Sequence, residues 1–299
     1  MKRLFPLLFV LAACQTSEPP PAAQPDAIGL DGTELFSPQP DSLLVERFRL
    51  KEADFRANPD DVDALIWYGR FTAYMGHYAD AIAIFSSGIE RWPDDARLYR
   101  HRGHRYITTR QLDLAIADLS KAAGLIDGTE NEIEPDGMPN ALGIPVSTLL
   151  GNIFYHLGLA HYLNQNMPAA LAAYELSLAA GNTPDNVVSN SHWLYTIHRR
   201  MGHVDEAKAV LEPITPDMQI IENHAYHQLT LFYKGLLPEE DLIGDGSAGD
   251  AIRYGVAAWH AVEGHAETAL SQMAQLKKEG SWASFGYIAA ESDMVHYGW

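Results

Sequence analysis

Residues 62–127 read VDALIWYGRFTAYMGHYADAIAIFSSGIERWPDDARLYRHRGHRYITTRQLDLAIADLSKAAGLID, and they hold one helical-hairpin pattern twice. Gly69, Ala81, Ile82, Phe85 and Gly88 of the first copy correspond to Gly103, Ala115, Ile116, Leu119 and Ala122 of the second, each 34 residues later. Two helices approach to about 8 Å only where small residues meet, so Gly69 and Ala81 mark the crossing inside the first hairpin. Phe85 and Ile89 then face the next hairpin, and Pro93 stops the second helix so that the chain can turn back. A single hairpin cannot bury both faces. The period therefore predicts copies stacked as an α-solenoid, each in contact only with its neighbours.

The same residues, with Leu65, Tyr68 and Tyr78, resemble the tetratricopeptide repeat family, whose unit is a pair of antiparallel helices. The resemblance implies an all-α, right-handed α-solenoid of about five to six hairpins with capping helices, its first helices lining a concave groove. Weaker copies follow. The third starts at about Gly151 with Leu157-Gly158, Ala170-Leu171 and Tyr174; the fourth starts at about Val188 with Leu194-Tyr195, Gly202, Ala207 and Leu211. Thr215-Pro216-Asp217 reads as a helix start, with Thr as N-cap and Pro at the first helical position, opening a fifth unit over Met218 to Lys234. Its second helix is reduced to Pro238–Leu242. A sixth unit runs from about Asp250, and Ser281 to Trp299 is a carboxy-terminal cap. Asp41 to Asn58 is the leftover helix of a degenerate first repeat.

The chain has 299 residues, a formal charge of −18 and one cysteine, so an internal disulfide is impossible. Removing residues 1–13 takes away Lys2 and Arg3 but no acid, which leaves −20. Such a chain repels nucleic acid, and no basic face is large enough to offset that. The opening MKRLFPLLFVLAAC has a basic pair, an apolar run and small residues before Cys14, and is too short to span a membrane as a mature helix. It resembles the bacterial lipobox. The resemblance implies a signal peptide over 1–13, acylation of Cys14, and, because Gln15 follows, a lipoprotein in the outer membrane on the periplasmic side. Residues 14–40 hold six prolines and read as a tether to a solenoid over 41–299.

One long interruption, 127–148, separates the second and third repeats. A loop of that length in a compact array is uncommon unless it is functional or disordered. Its acidic half, Glu130 to Asp136, reads as solvated, and MPNALGIPVSTLL is apolar enough to pack on something.

Thirteen histidines invite a metal reading, and their repeat positions argue against most of it. His161, His198 and His260 fall where the second repeat has Tyr106, a packing position. His77, His203 and His265 each follow a turn glycine. Asn152, Tyr155 and His156 recur in spacing as Asn223, Tyr226 and His227, on one side of a first helix. With Arg97, Arg100, His101 and His104 on the second repeat and Ser189, His192 and Arg199 on the fourth, they predict a polar stripe along the groove. Its arginines suit carboxylate or phosphate groups. The Lys and Asn spacing of carboxylate-clamp members of the family is not reproduced, so capture of a peptide C-terminus is not implied.

No His-Glu-x-x-His, Gly-rich phosphate loop or Gly-x-Ser-x-Gly turn occurs, so no metal, cofactor or enzyme activity is expected. The expectation is a lipid-anchored scaffold binding an envelope protein or peptide. Lipoproteins similar in repeat and location serve outer-membrane protein assembly, secretin assembly and recruitment of peptidoglycan enzymes, which fixes no function here. The alternative is a small-ligand or catalytic pocket, with the 127–148 loop closed over His156, His192 and His227.

Overall fold

The computed structural model describes residues 24–299, so the expected signal peptide, Cys14 and the first part of the tether lie outside the described residues. The described chain is helical apart from one short β-hairpin, β1 (Ala27–Ile28) with β2 (Glu34–Leu35). A helix α1 (Ser42–Ala57), capped by Asp41 on the Leu44 N–H, precedes the repeats. Then come the hairpins α2 (Val62–Tyr74) with α3 (Tyr78–Arg91), α4 (Ala96–Thr108) with α5 (Leu112–Leu125), α6 (Leu149–Leu163) with α7 (Met167–Ala179), and α8 (Pro184–Arg200) with the short α9 (Val204–Ala209). A single helix α10 (His224–Tyr233) and a one-turn 3-10 segment at Glu239–Asp241 make the fifth unit; α11 (Gly246–Val262) with α12 (Ala266–Glu279) make the sixth, and α13 (Phe285–Tyr297) ends the chain. The helical array and its hairpin period are as the repeat pattern predicts. No helix among the described residues is long and apolar enough to cross a membrane.

The small residues sit where the crossing argument puts them. A methyl on Gly69 would lie 2.7 Å from the Phe85 ring, one on Gly103 2.8 Å from Leu119, and one on Gly158 2.7 Å from the Tyr174 ring. Ala81, Ala115 and Ala170 have no exposed surface. Three hairpin turns carry glycine at positive φ, Gly76, Gly202 and Gly264, and His77, His203 and His265 beside them are exposed as expected.

Three expectations need correction. The fifth unit's helix starts at Asn223, not at Thr215, because the backbone N–H groups of Ile221, Glu222 and Asn223 all donate to the buried carboxylate of Asp185 at 2.8–3.0 Å. Pro216 and Asp217 make only a single turn, with the Met218 N–H on the Thr215 carbonyl at 3.3 Å, and the helix waits for Asn223. Residues 24–40 are no tether. Ala27 and Leu35 are buried against Trp282 and Tyr287, the Trp282 indole N–H donates to the Phe36 carbonyl at 2.8 Å, and Asp26 accepts from the Ser37 N–H at 2.6 Å.

The third correction concerns nearest-neighbour stacking. The last helix returns across the array and lies on the row of hairpin turns. Arg110, in the α4–α5 turn, donates from Nε to Glu291 at 2.8 Å and from Nη2 to the Trp282 carbonyl at 2.8 Å. In the α6–α7 turn Gln165 donates to Ser292, and at the end of α8 Arg200 pairs with Asp293 at 2.8 Å. Behind them the Tyr162 and Tyr254 hydroxyls bond to each other, joining the third and sixth units. With α13 on three turns and the β-hairpin beside a fourth at Gly76, where Ser37 donates to the Gly76 carbonyl at 3.4 Å, the array is closed along that edge.

Candidate functional site

The first helices α2, α4, α6, α8 and α10 present polar residues to one surface, and the chain covers much of it with its own parts. From above, the 127–148 loop lays Glu134 into it. From the turn side, Phe285 at the head of α13 reaches in until its ring lies 5.4 Å from His104 and 5.6 Å from His156. What remains open is a cleft of about 730 Å³ between α6, α8 and α10, rimmed by Pro145–Thr148 of the loop.

Six of the expected groove residues meet there: Asn152, Tyr155, His156, Ser189, Asn223 and Tyr226. The Tyr155 hydroxyl accepts from the Trp193 indole at 2.8 Å and donates to the Tyr226 hydroxyl at 3.1 Å, so the two tyrosines form one wall. His156 Nδ1 lies 2.6 Å from the Asn152 carbonyl, which can only accept, so Nδ1 carries the proton. Burial, with the Arg100 charge nearby, pushes the His156 pKa well below the usual value, and the ring is neutral. Asn152 Nδ2 donates to Glu134 at 2.7 Å and to Ser147 at 3.0 Å, tying the loop to α6. Asn223 donates to the Asp185 carbonyl at 3.2 Å.

The remaining members are elsewhere. Arg97 is paired with Asp95 and Asp63 at 2.6 Å at the start of α4, outside the cleft. Arg100, His101 and His104 line a separate small cavity between α2 and α4. His101 is buried and stacked on Phe85 at 5.6 Å, and His104 stacks on His156 at 4.4 Å. His192 is 1% exposed, with Nδ1 3.0 Å from the Tyr233 hydroxyl. Arg199 pairs with Glu263 at 2.7 Å, and His227 Nε2 donates to the Thr215 carbonyl at 2.9 Å. The continuous exposed stripe is therefore replaced by one open cleft and a covered basic patch. The reason is long-range: α13 and the loop fill the superhelical hollow.

The alternative expectation of a pocket closed over His156, His192 and His227 is corrected too. These three do not converge, and Pro139–Pro145 is exposed except at Asn140, which donates to Glu222 at 2.6 Å. The acidic half of the loop is solvated at Glu130 and Glu132 but not at Glu134, which is 7% exposed. Among the described residues no group of three or more His, Cys, Asp or Glu side chains is placed to hold a metal ion.

Sequence reading missed the cleft's far wall. Asn186 and Asn190 stand one turn apart on α8, with Asn182 and Thr183 beside them and the expected Ser189 between. Asn190 Nδ2 donates to the Asn186 carbonyl at 2.8 Å, while its Oδ1 is buried with no hydrogen-bond partner among the described residues. The i, i+4 spacing of two asparagines on a first helix was the available signal. Phe285 left none, since nothing local reveals that a terminal helix folds back.

The model of a family described as tetratricopeptide repeat matches residues 73–128, from the end of α2 through α5. No curated protein matches the chain. Among solved structures, that of MamA is 19% identical with a TM-score of 0.42, covering 55% of this chain and 81% of its own. That of YrrB, described as a TPR protein with an unusual peptide-binding site, is 15% identical with a TM-score of 0.45, covering 83% of this chain and 97% of its own. That of Naa15/Naa10 bound to HypK-THB is 14% identical with a TM-score of 0.37, covering 83% of this chain and 38% of its own.

Proposed function

We propose that this protein is an envelope scaffold that holds an extended peptide, or a protein segment presented as one, in the cleft between α6, α8 and α10. The observation that carries the reading is the asparagine-rich lining: Asn152, Asn186, Asn190 and Asn223 surround one opening, with Tyr155 and Tyr226 as its wall. A carboxamide offers a donor and an acceptor side by side, the complement of a peptide group, and the Oδ1 of Asn190, buried just behind the lining, has no partner among the described residues. Small-molecule sites are lined mostly by apolar side chains with few polar groups. This cleft is mainly apolar too, and what sets it apart is four carboxamides around one opening.

The residence we propose is the bacterial outer membrane, periplasmic face, through lipid on Cys14. It rests on the basic pair, apolar run and Leu-Ala-Ala-Cys ending of residues 2–14. Metabolic labelling with an alkyne fatty acid tests it: label lost in Cys14→Ser supports the anchor, and label retained removes it.

The peptide reading is tested by a photoreactive residue at the exposed Asn182, followed by mass spectrometry from native cells. Tyr155 is a poorer place, since its hydroxyl holds Trp193 and Tyr226. One crosslinked envelope protein, lost when Asn186 and Asn190 are both changed to Ala, is the expected result. Two neutral hydrogen bonds at about 1 kcal/mol each predict a loss of affinity of roughly thirtyfold. Crosslinks indifferent to the double change would overturn the reading.

A further inference from the structure

Beneath the loop, and apart from the peptide cleft, a second cavity of about 100 Å³ lies between α2 and α4, lined by Arg70, Tyr74, Arg100, His101, His104 and Arg105. Three guanidiniums in one small enclosure are unexpected in a chain of formal charge −18. Their pairing is incomplete. Arg70 donates to the Pro135 carbonyl at 2.9 Å, a neutral partner. Arg100 donates from Nη1 to His101 Nδ1 at 3.1 Å, and its Nε lies 3.1 Å from Glu134 but makes no aligned hydrogen bond. Glu134 Oε1 is likewise buried and without a hydrogen-bond partner among the described residues. Arg105 is only 9% exposed, and among the described residues no carboxylate or carbonyl accepts from its side chain; its one contact of note is the face of Tyr78 at 5.8 Å.

A buried cation without a counter-charge costs several kcal/mol unless an anion reaches it. The local count shows what is missing. The cavity's own lining holds Arg70, Arg100 and Arg105 and no carboxylate; Glu134, Asp136 and Glu222 line the adjoining opening with Arg70 and Arg100, which leaves Arg105 without one. The neutral donors complete a cradle. His101 accepts at Nδ1 from Arg100, so its proton is on Nε2, which faces Glu134 Oε1 at 3.5 Å, and the Tyr74 hydroxyl lies on the same cavity wall. Burial keeps His101 and His104 neutral and lowers Arg105 only to about 10, so the guanidinium stays charged at neutral pH.

We infer that this cavity binds the carboxylate of a small organic acid, held by Arg105, with Glu134 of the loop standing beside it as a competing carboxylate, poorly aligned on Arg100. A planar carboxylate matches a guanidinium fork, and its single charge answers the one guanidinium, Arg105, that has no carboxylate beside it. The volume admits an anion of a few heavy atoms and excludes a peptide end with its side chain. This site does not depend on the peptide reading of the larger cleft.

The test is calorimetric titration of the full-length protein with sodium acetate, and separately with sodium phosphate, against sodium chloride at constant ionic strength. The expected result is saturable one-to-one acetate binding, at least tenfold weaker in Arg105→Gln and about tenfold tighter in Glu134→Gln, where the competitor is gone. Arg105→Gln removes an unpaired buried charge, so its Tm in chloride should not fall, which separates a lost site from a lost fold. Arg105→Lys, keeping the charge without the fork, should retain weakened binding if folding is in question. Absence of saturable acetate heat, equal binding by Arg105→Gln, or binding of phosphate without acetate would each overturn the assignment.

Discussion

His192 shows how a single buried side chain makes stability depend on pH. It is 1% exposed, and burial pushes its pKa down to about 3. The folded state keeps the ring neutral while the unfolded chain takes up a proton below about 6.5. More protons are bound by the unfolded state in that window, so the stability is present above about 6.5 and is lost as pH falls towards 3, at about 1.4 kcal/mol per pH unit for each such histidine. His101 and His156, also buried with lowered pKa values, add in the same direction. Urea unfolding at pH 7 and pH 5 should show a marked loss of stability at the lower pH. His192→Gln, which can still accept from Tyr233 but cannot titrate there, should reduce the slope by about that unit amount. Unchanged slope would mean that His192 is protonated in the fold. At the same scale, Gly158→Ala puts a methyl 2.7 Å from the Tyr174 ring, and should cost about 1–3 kcal/mol in a urea titration.

Among the elements, the hairpin turns separate into two kinds. Gly76, Gly202 and Gly264 take positive φ freely, while Arg110 and Gln165 take it at φ 62° and 59° against the preference of their side chains. Both side chains reach α13. Arg110→Gly should relieve about 1 kcal/mol of strain but leave Glu291, with no exposed surface, without its cation, at about 3–5 kcal/mol. The expected net loss is about 2–4 kcal/mol. Gln165→Gly trades similar relief against bonds to Ser292, Asp293 and Arg200, while Arg200 and Asp293 keep each other, and should cost about 1–2 kcal/mol; measured by denaturant midpoints, Arg110→Gly should be the larger loss. These turns also mark how far the sequence could be read. The hairpins were legible because Gly69, Ala81 and Phe85 meet within one repeat, at spacings that recur. Asn152, Tyr155 and Tyr226 were legible as one surface for the same reason. Glu134 was not, because its place on Arg100 depends on a loop path that no period encodes, and the partner of Arg110 lies 181 positions away.

For the whole molecule, closure replaces the open array that repeats alone would build. In an open stack, unfolding starts at a weak end and spreads. Here the first and last described elements share one small core of Ala27, Leu35, Trp282 and Tyr287, so neither end is free to fray. Trp282→Ala should cost about 3 kcal/mol or more and, beyond that, split one cooperative transition into two, as calorimetry would show. A single sharp transition at lower Tm would mean that the repeats cooperate without the clasp.

That clasp also imposes an order in time. The repeats can form within tens of residues of chain, whereas the bond between Trp282 and Phe36 joins positions 246 apart. Local helical contacts form quickly and distant ones slowly. The β-hairpin must wait for a segment made 246 positions later, its Ala27 and Leu35 unburied until Trp282 arrives. A segment made early is thus late to find its place.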